Sequence, residues 1–351
     1  MKHENILVVG GSGFVGRHLV AALAARGAKV TVPTRRRDRA KHLILLPTVD
    51  VVQVERLDAS VLSQLAVGRD TVVNLAGILH GPDFTATHVE LAQGVVNACR
   101  GAGVKRLLHM SALGADPQAP SEYLRSKGIG ERAAHAADDL EVTVFRPSVI
   151  FGPEDRFLNL FARLAALLPV LALGSADARF QPVYVGDVVR SFVAALDERE
   201  SAGRSYDLCG PKEYTLRQLV ELVCAMTGRR RLVVGLPDAL SYLQAWVLEM
   251  LPLQLLTRDN YYSMQVPSVC NCAFPFGIHP VLLEAVAPSW LAPARANASQ
   301  DRASTLRGCG GKPSASRPGE GAASASGAQC RCGAPPRLSC PWRISGISPA
   351  T

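Results

Sequence analysis

No stretch of about 18 uninterrupted apolar residues occurs in the 351-residue sequence, so a membrane-spanning helix is not expected. The nearest run, 239–256 (ALSYLQAWVLEMLPLQLL), carries Glu249 and is interrupted by Pro252. It reads as a helix packed on a core or a subunit interface, with shallow membrane contact as the alternative. The opening Met1-Lys2-His3-Glu4-Asn5 lacks the apolar core and small-residue cleavage site of a secretory signal. A cytoplasmic chain follows as the expectation, with a peripheral place at the inner membrane face left open.

CxxC pairs are missing as well. The nine cysteines are odd in number, and Cys270/Cys272 and Cys330/Cys332 are CxC pairs. No histidine follows His279, so no metal site is expected. In the cytosol the thiols should stay reduced. No internal repeat of roughly 20–50 residues is visible.

The formal charge of +8 invites a nucleic-acid or acidic-membrane partner. Residues 292–351, however, hold seven Arg and one Lys against Asp301 and Glu320, and so contribute +6 of that total. Residues 1–291 are nearly neutral and show no nucleic-acid module, which excludes a nucleic-acid partner from the reading. Ala, Gly, Pro and Ser make up 36 of the 60 residues in 292–351, with only five large apolar side chains. Such a segment cannot offset its ordering entropy and is expected to be disordered. Its composition is that of a GC-rich gene read out of frame, so the tail reads as frameshifted; a genuine flexible tail is the alternative.

The first 150 residues are rich in signal. Short Val/Ile/Leu runs at 5–9, 29–33, 49–54, 70–74, 106–110 and 142–146 suit strands buried on both faces. Helical patterns lie between them, near 14–26, 60–67, 85–101 and 121–137. Val15, Leu19 and Leu23 share one face of the first, and Gly27 ends it as a left-handed cap would. The alternation predicts a Rossmann-type doubly wound α/β sheet over 1–150. Residues 151–291 read as a smaller substrate-side region, part of which, near 180–200, packs back on the sheet. There Asp187 can cap a helix at 188–197 and Thr215 another at 216–227.

After the first strand comes Gly10-Gly11-Ser12-Gly13-Phe14-Val15-Gly16. Gly10 permits a tight turn, Gly13 lets backbone approach a pyrophosphate, and Gly16 allows the helix to pack closely on the sheet. The helix N-terminus offers free N–H groups to phosphates. A dinucleotide site is therefore predicted, held by Gly10, Ser12, Gly13, Phe14, Val15 and Gly16. The second strand ends in Thr34-Arg35-Arg36-Arg37, with no acid before Asp38. An acid there would hold ribose hydroxyls, whereas arginine suits a 2′-phosphate. NADP(H) is accordingly favoured over NAD(H), through Thr34, Arg35 and Arg36. Glu55 can accept from the adenine amino group. Leu75, Ala76 and Gly77, after Asn74, let backbone lie against the cofactor.

Tyr123-Leu124-Arg125-Ser126-Lys127 is a YxxxK element on a predicted helix. Residues four apart share a helical face, so hydroxyl and ammonium can share a site. The lysine cation is expected to lower the tyrosine pKa.

Together, Gly10/Gly13/Gly16, Asn74-Leu75-Ala76-Gly77, Tyr123/Lys127 and Arg146-Pro147-Ser148-Val149-Ile150-Phe151-Gly152-Pro153 resemble the short-chain dehydrogenase/reductase superfamily. The last segment resembles the RPxxVYGP stretch of its extended, epimerase/dehydratase-like branch. Segments 109–115, 180–188 and 256–260 look most like the group containing the nucleotide-binding accessory subunit of respiratory complex I and its bacterial relatives. The resemblance covers about 1–290. It implies that Tyr123 exchanges a proton with a substrate oxygen and that Lys127 tunes Tyr123 and holds the nicotinamide ribose. It also implies that Ser111 orients the substrate oxygen and that Pro147 and Ser148 border the nicotinamide. Epimerase-like members place that hydroxyl slightly further along, where this chain has Ala112 and Leu113. Two activities follow: an oxidoreductase or epimerase/dehydratase acting on an unidentified small molecule, or a non-catalytic NADPH-holding accessory or assembly factor of a respiratory or quinone-related complex. The second would bring peripheral association with a membrane complex.

Overall fold

The computed structural model describes residues 3–79, 81, 83–251 and 256–292. Beyond Ala292, the tail expected to be disordered lies outside the described residues. Strands β1 (Asn5–Val9), β2 (Lys29–Thr34), β3 (Val49–Gln53), β4 (Thr71–Asn74), β5 (Arg106–Met110) and β6 (Glu141–Pro147) fall where the apolar runs predict. The helices between them are α1 (Phe14–Ala25), the short α2 (Lys41–Ile44), α3 (Ala59–Ala66), α4 (Leu91–Ala102) and α5 (Glu122–His135).

All neighbours in the main sheet pair in parallel, in the order Ser205–Leu208, β6, β5, β4, β1, β2, β3. The cause is visible in β1. Ile6 and Val8 face one core with Val15 and Leu19 of α1, while Leu7 and Val9 face another with Leu62 of α3 and Val95 of α4. A strand apolar on both faces can be buried only between two helical layers. Phe145 of β6 is fully buried, its ring 4.2 Å from that of Phe192; truncating it to alanine would cost about 3–5 kcal/mol. Strand order reverses between β1 and β4, and this places the ligand crevice at their C-terminal ends.

The chain then runs through β7 (Ile150–Phe151), α6 (Phe157–Leu167), β8 (Val170–Leu173), β9 (Arg179–Phe180), β10 (Val183–Tyr184), α7 (Val185–Asp197), β11 (Ser205–Leu208), β12 (Tyr214–Thr215), α8 (Leu216–Met226), β13 (Leu232–Gly235), α9 (Asp238–Glu249) and α10 (Arg258–Ser263). Val185, Val188 and Phe192 of α7 join the core shared with α1, so this helix covers the sheet. A separate core holds Phe151, Leu158, Leu171, Leu219, Val223 and Leu283.

Four expectations change. Asp187 is not the cap of α7: the helix starts at Val185 after Tyr184, and Asp187 lies buried in its first turn. Its carboxylate pairs with Arg190 and accepts the Val281 N–H at 2.7 Å, a long-range tie invisible to local pattern. The helix expected at 85–101 opens as a wider π-helical turn, Thr85–Glu90, before α4. Of the run 239–256, α9 covers residues to Glu249, and residues 252–255 lie outside the described residues. Finally, Cys209 and Cys270, expected reduced, form a disulfide, because the fold brings the end of β11 beside the 266–280 segment. Thr215 does cap α8, in a reciprocal capping box with Gln218.

Candidate functional site

The turn after β1 is shaped by close approach. Gly10 has φ +83°, which L side chains rarely adopt. A Cβ on it would also stand 2.9 Å from the Leu75 carbonyl carbon and 3.0 Å from Ala76 N. The end of β4 thus lies directly against the turn. Gly13 is the N-cap of α1 and provides no side-chain acceptor, and the first turn contains no acid. Those N–H groups and the positive end of the helix dipole are therefore left for an anionic ligand. A Cβ on Gly16 would fall 2.6 Å from Gly11 Cα and closer still to Gly10 O. The contact that glycine relieves is with the turn, not with the sheet as expected. Phe14 begins the helix and Val15 is buried in its core face.

Ser12 Oγ lies 3.4 Å from Thr34 Oγ1, linking the turn to the end of β2. Thr34 Oγ1 also accepts the Arg36 N–H at 3.3 Å. Arg35 and Arg36 are exposed there, and Arg37 opens the 3-10 turn Arg37–Ala40. β2 therefore ends in guanidinium groups without a carboxylate. Glu55 is exposed past the end of β3.

Helix α5 carries the YxxxK pair. Its N-terminus is tied twice: Ser121 Oγ accepts the Leu124 N–H at 3.2 Å, and Asp259 of α10 accepts the Glu122 and Tyr123 N–H groups at 2.6 and 3.2 Å. Lys127 is 4% exposed. Its Nζ donates to Ala76 O at 3.2 Å and to Met110 O at 3.1 Å, joining α5 to the ends of β4 and β5. Burial lowers its pKa to about 8, with Glu131 acting in opposition. Ser111 follows Met110; its N–H bonds to Phe145 O, while its Oγ is buried with no partner among the described residues. Ala112 packs against Tyr123 and, like Leu113, brings no hydroxyl to the site. Pro147 is buried at the end of β6, and Ser148 Oγ donates to Ser268 O at 2.7 Å.

One expectation is reversed here. The Tyr123 pKa is raised to about 12, first by burial and then by Asp259. The Lys127 cation is spent on two backbone carbonyls and does not lower it.

The fold thus gathers Tyr123, Lys127, Ser111, Ala76, Gly77 and Pro147 around the C-terminal ends of β4, β5 and β6. Gly10–Gly16 and Thr34–Arg36 stand on the other side of the β1/β4 reversal, and Glu55 sits furthest out, past β3. Sequence reading missed His88, buried in the π-helical turn, with its ring centroid 5.6 Å from that of Tyr123. Its Nε2 accepts the Ile78 N–H at 3.1 Å, which leaves the proton on Nδ1 to donate to Ser126 Oγ at 2.9 Å. Ser126 Oγ in turn donates to Tyr123 O at 2.9 Å. Burial, then Lys127 and His109, push the His88 pKa down to about 3, so it acts as a neutral strut. A lone histidine outside any motif announces this only once the loop is folded.

The profile of the NAD dependent epimerase/dehydratase family matches residues 6–209. The mitochondrial NADH dehydrogenase (ubiquinone) 1 alpha subcomplex subunit 9 of Mus musculus is 31% identical over 79% of this chain and 77% of its own length. The ceramide reductase of Caulobacter vibrioides is 35% identical over 54% of this chain and 60% of its own. Among solved structures, the dTDP-glucose 4,6-dehydratase DesIV of Streptomyces venezuelae, determined with NAD bound, superposes with a TM-score of 0.60 at 25% identity, covering 68% of this chain and 85% of that one. With a glycine turn, a parallel sheet and a YxxxK helix in the places this match requires, the chain belongs to the NAD dependent epimerase/dehydratase family.

Proposed function

We propose that the chain binds NADP(H) and reduces a carbonyl group on a small substrate. The observation that carries this reading is Ser111. A buried hydroxyl with no partner costs about 1–3 kcal/mol, a cost that a ligand oxygen at the end of β5 would remove. The uncapped α1 N-terminus and the Gly10–Gly16 cradle fit the pyrophosphate, and Arg35 and Arg36 fit a 2′-phosphate. Lys127 has one N–H beyond the two already engaged, suited to the nicotinamide ribose. The cofactor supplies the hydride when bound.

Tyr123 is suited to the proton-donor role in such a reduction. Burial and Asp259 raise its pKa to about 12, so the side chain is a neutral phenol at pH 7. A neutral phenol gives a proton to the oxygen of a carbonyl under reduction. Ser111 Oγ would hold that oxygen from the other side.

Ala112 and Leu113 favour a second reading, in which the cofactor is held structurally and the chain serves as an accessory factor of a respiratory complex. The relationship to the mouse subunit supports it. On either reading the expected place is the cytoplasm, with peripheral association with a membrane complex on the second. Tyr123→Phe separates the two. In a strain lacking the gene, the catalytic reading expects this variant to fail to complement while binding NADPH normally. Full complementation would exclude catalysis. Titration with both cofactors tests the arginines, since equal affinity or tighter NADH binding would overturn the NADP(H) preference.

A further inference from the structure

We propose that α9 and the β8–β13 ribbon form a docking surface for a lipid bilayer carrying anionic headgroups. The inner side of α9 is firmly seated. Ala245 and Ser241 are buried, and Ser241 Oγ accepts the Ser175 N–H at 3.2 Å. Gln244 accepts from Gly174 N and donates to Ala172 O, both at 2.9 Å. The two acids of the helix are engaged at its ends, Asp238 by the Tyr261 hydroxyl at 2.7 Å and Glu249 by Arg258 at 2.8 Å.

What remains outward is apolar. Leu240, Leu243, Trp246, Val247 and Met250 are 42–71% exposed. Their steps of three and four residues make one continuous stripe with no charge in it. A groove of about 350 Å³ runs beside it, lined by Leu236, Leu240, Leu243, Gln244, Val247 and Leu248. The β8–β13 ribbon, tied to α9 through Ala172 O and running into Leu236 of the groove, carries a second apolar face. β8 and β13 pair in parallel, with Leu232 opposite Val170 and Val234 opposite Ala172. Those four are exposed and alternate with buried Leu171, Leu173 and Val233, so the ribbon turns its second apolar face outward. Leu167 and Leu168, just before β8, are exposed as well.

The charge beside this surface names its partner. Arg229, Arg230 and Arg231 run directly into Leu232, and Arg163 stands one helical turn before Leu167 on α6. Arg231 Nε is turned to Ala165 O at 2.7 Å, which fixes the cluster at the end of α6. None of the four guanidinium groups pairs with a carboxylate among the described residues. A protein partner would have to bring several carboxylates to that one edge beside an uncharged strip. A leaflet offers both at once: phosphates in the headgroup layer for the arginines, and acyl chains beneath for the stripe and Trp246. Contact would be shallow, since no helix among the described residues is long and apolar enough to cross a membrane. The proposal does not depend on the cofactor chemistry.

The test is co-sedimentation of the full chain with phosphatidylcholine vesicles, with and without phosphatidylglycerol, alongside Trp246 fluorescence. Binding to the phosphatidylglycerol vesicles is expected, with a blue shift that Trp246→Phe abolishes. Leu243→Ser combined with Val247→Ser should weaken binding at least about tenfold. Arg229→Gln and Arg230→Gln should each weaken it about fivefold, an effect that salt masks. The basic 292–351 segment is the same in every variant, so it cannot produce these differences. A cooperative thermal unfolding transition unchanged from the parent shows that the variants are folded. No partition into either vesicle would overturn the proposal, as would binding that the α9 substitutions leave unchanged. It would also fall if the same substitutions dissolved a dimer seen by sedimentation, which would assign the face to a second copy.

Discussion

Two glycine-to-alanine changes, chemically identical and both inside helices, should have opposite consequences. Alanine is favoured over glycine in a helix interior by about 0.5–1 kcal/mol. At Gly101, in the last turn of α4, a Cβ meets nothing within 4 Å, so Gly101→Ala should collect most of that gain, about 0.5 kcal/mol. For a domain of this size the transition should rise by about 1–2 °C. At Gly16 the same gain is opposed by steric overlap with the phosphate-binding turn. The new Cβ would sit 2.6 Å from Gly11 Cα and 2.7 Å from Gly11 C, and these are backbone atoms that cannot rotate away. Overpacking of this kind costs about 1–3 kcal/mol, so Gly16→Ala should be neutral to about 2 kcal/mol destabilising.

Binding should suffer more than folding. The turn must retreat by several tenths of an ångström, and it carries the N–H groups offered to the pyrophosphate. Losing one charge-assisted hydrogen bond costs about 1.5–3 kcal/mol, or roughly a tenfold to hundredfold loss of affinity. Calorimetric titration with NADPH, with thermal unfolding of both variants, measures the two terms separately. If Gly16→Ala binds NADPH as the parent does and melts higher, as Gly101→Ala should, then the turn is not the phosphate cradle.

The remaining predictions concern buried titrating groups. His88 and His109 both have pKa values pushed down by burial from 6.5 to about 3. Below pH 6.5 the unfolded chain binds protons that the folded chain refuses, so stability should fall by about 1.4 kcal/mol per pH unit for each histidine. Denaturant unfolding between pH 6.5 and 4.5 measures this slope, and His88→Gln should remove about half of it; a flat profile would refute the assignment. The Lys127 pKa, lowered to about 8, penalises the folded state while the cation persists, so stability should rise from about pH 8 towards 10. Raised to about 12, Tyr123 then reverses the trend above pH 10. Lys127→Met should flatten the first limb and leave the second. Asp259→Asn keeps one acceptor for the α5 N-terminus but removes the charge that raises Tyr123, so the spectroscopic titration of that tyrosine should shift to lower pH, at a stability cost of about 1–2 kcal/mol.

The first six strands were legible because both signals that define them are local. Apolar runs of five or six residues and the glycine turns between them follow from burial on two faces and from backbone sterics. The YxxxK helix and the Thr215 capping box are local in the same sense. What escaped was long-range. Asp187 looks like a cap because its partner Val281 is remote in sequence, and Cys209 looks free because Cys270 reaches it only after the 266–280 segment folds across the strand ends. The expected lowering of the Tyr123 pKa failed for a related reason. Helical spacing places Lys127 on the right face, but it cannot show that Ala76 O and Met110 O claim the ammonium. His88 belongs to no motif and gains a role only when a π-helical turn drops it between Ile78 N and Ser126.

Helix α5 concentrates these long-range ties. Asp259, 137 residues beyond Glu122, holds its first turn; Ser126 and Lys127 fix its middle to the loop after β4 and to the end of β5. Buried Glu131 pairs with Arg146 of β6 one turn further on. The buried ties, those of Lys127 and Glu131, take charge out of water, and such pairs stabilise little more than an apolar contact would. An apolar helix face against the same strands would hold the helix with less desolvation. What the polar ties add is a defined pose for α5, with the Tyr123 backbone held by its carbonyl and N–H and with Ser111 left unpartnered at the end of β5. Stability alone gives no reason to keep a buried lysine on two carbonyls next to an unsatisfied serine. The proposed carbonyl reduction would supply one, by placing a ligand oxygen and a cofactor ribose at the same strand ends.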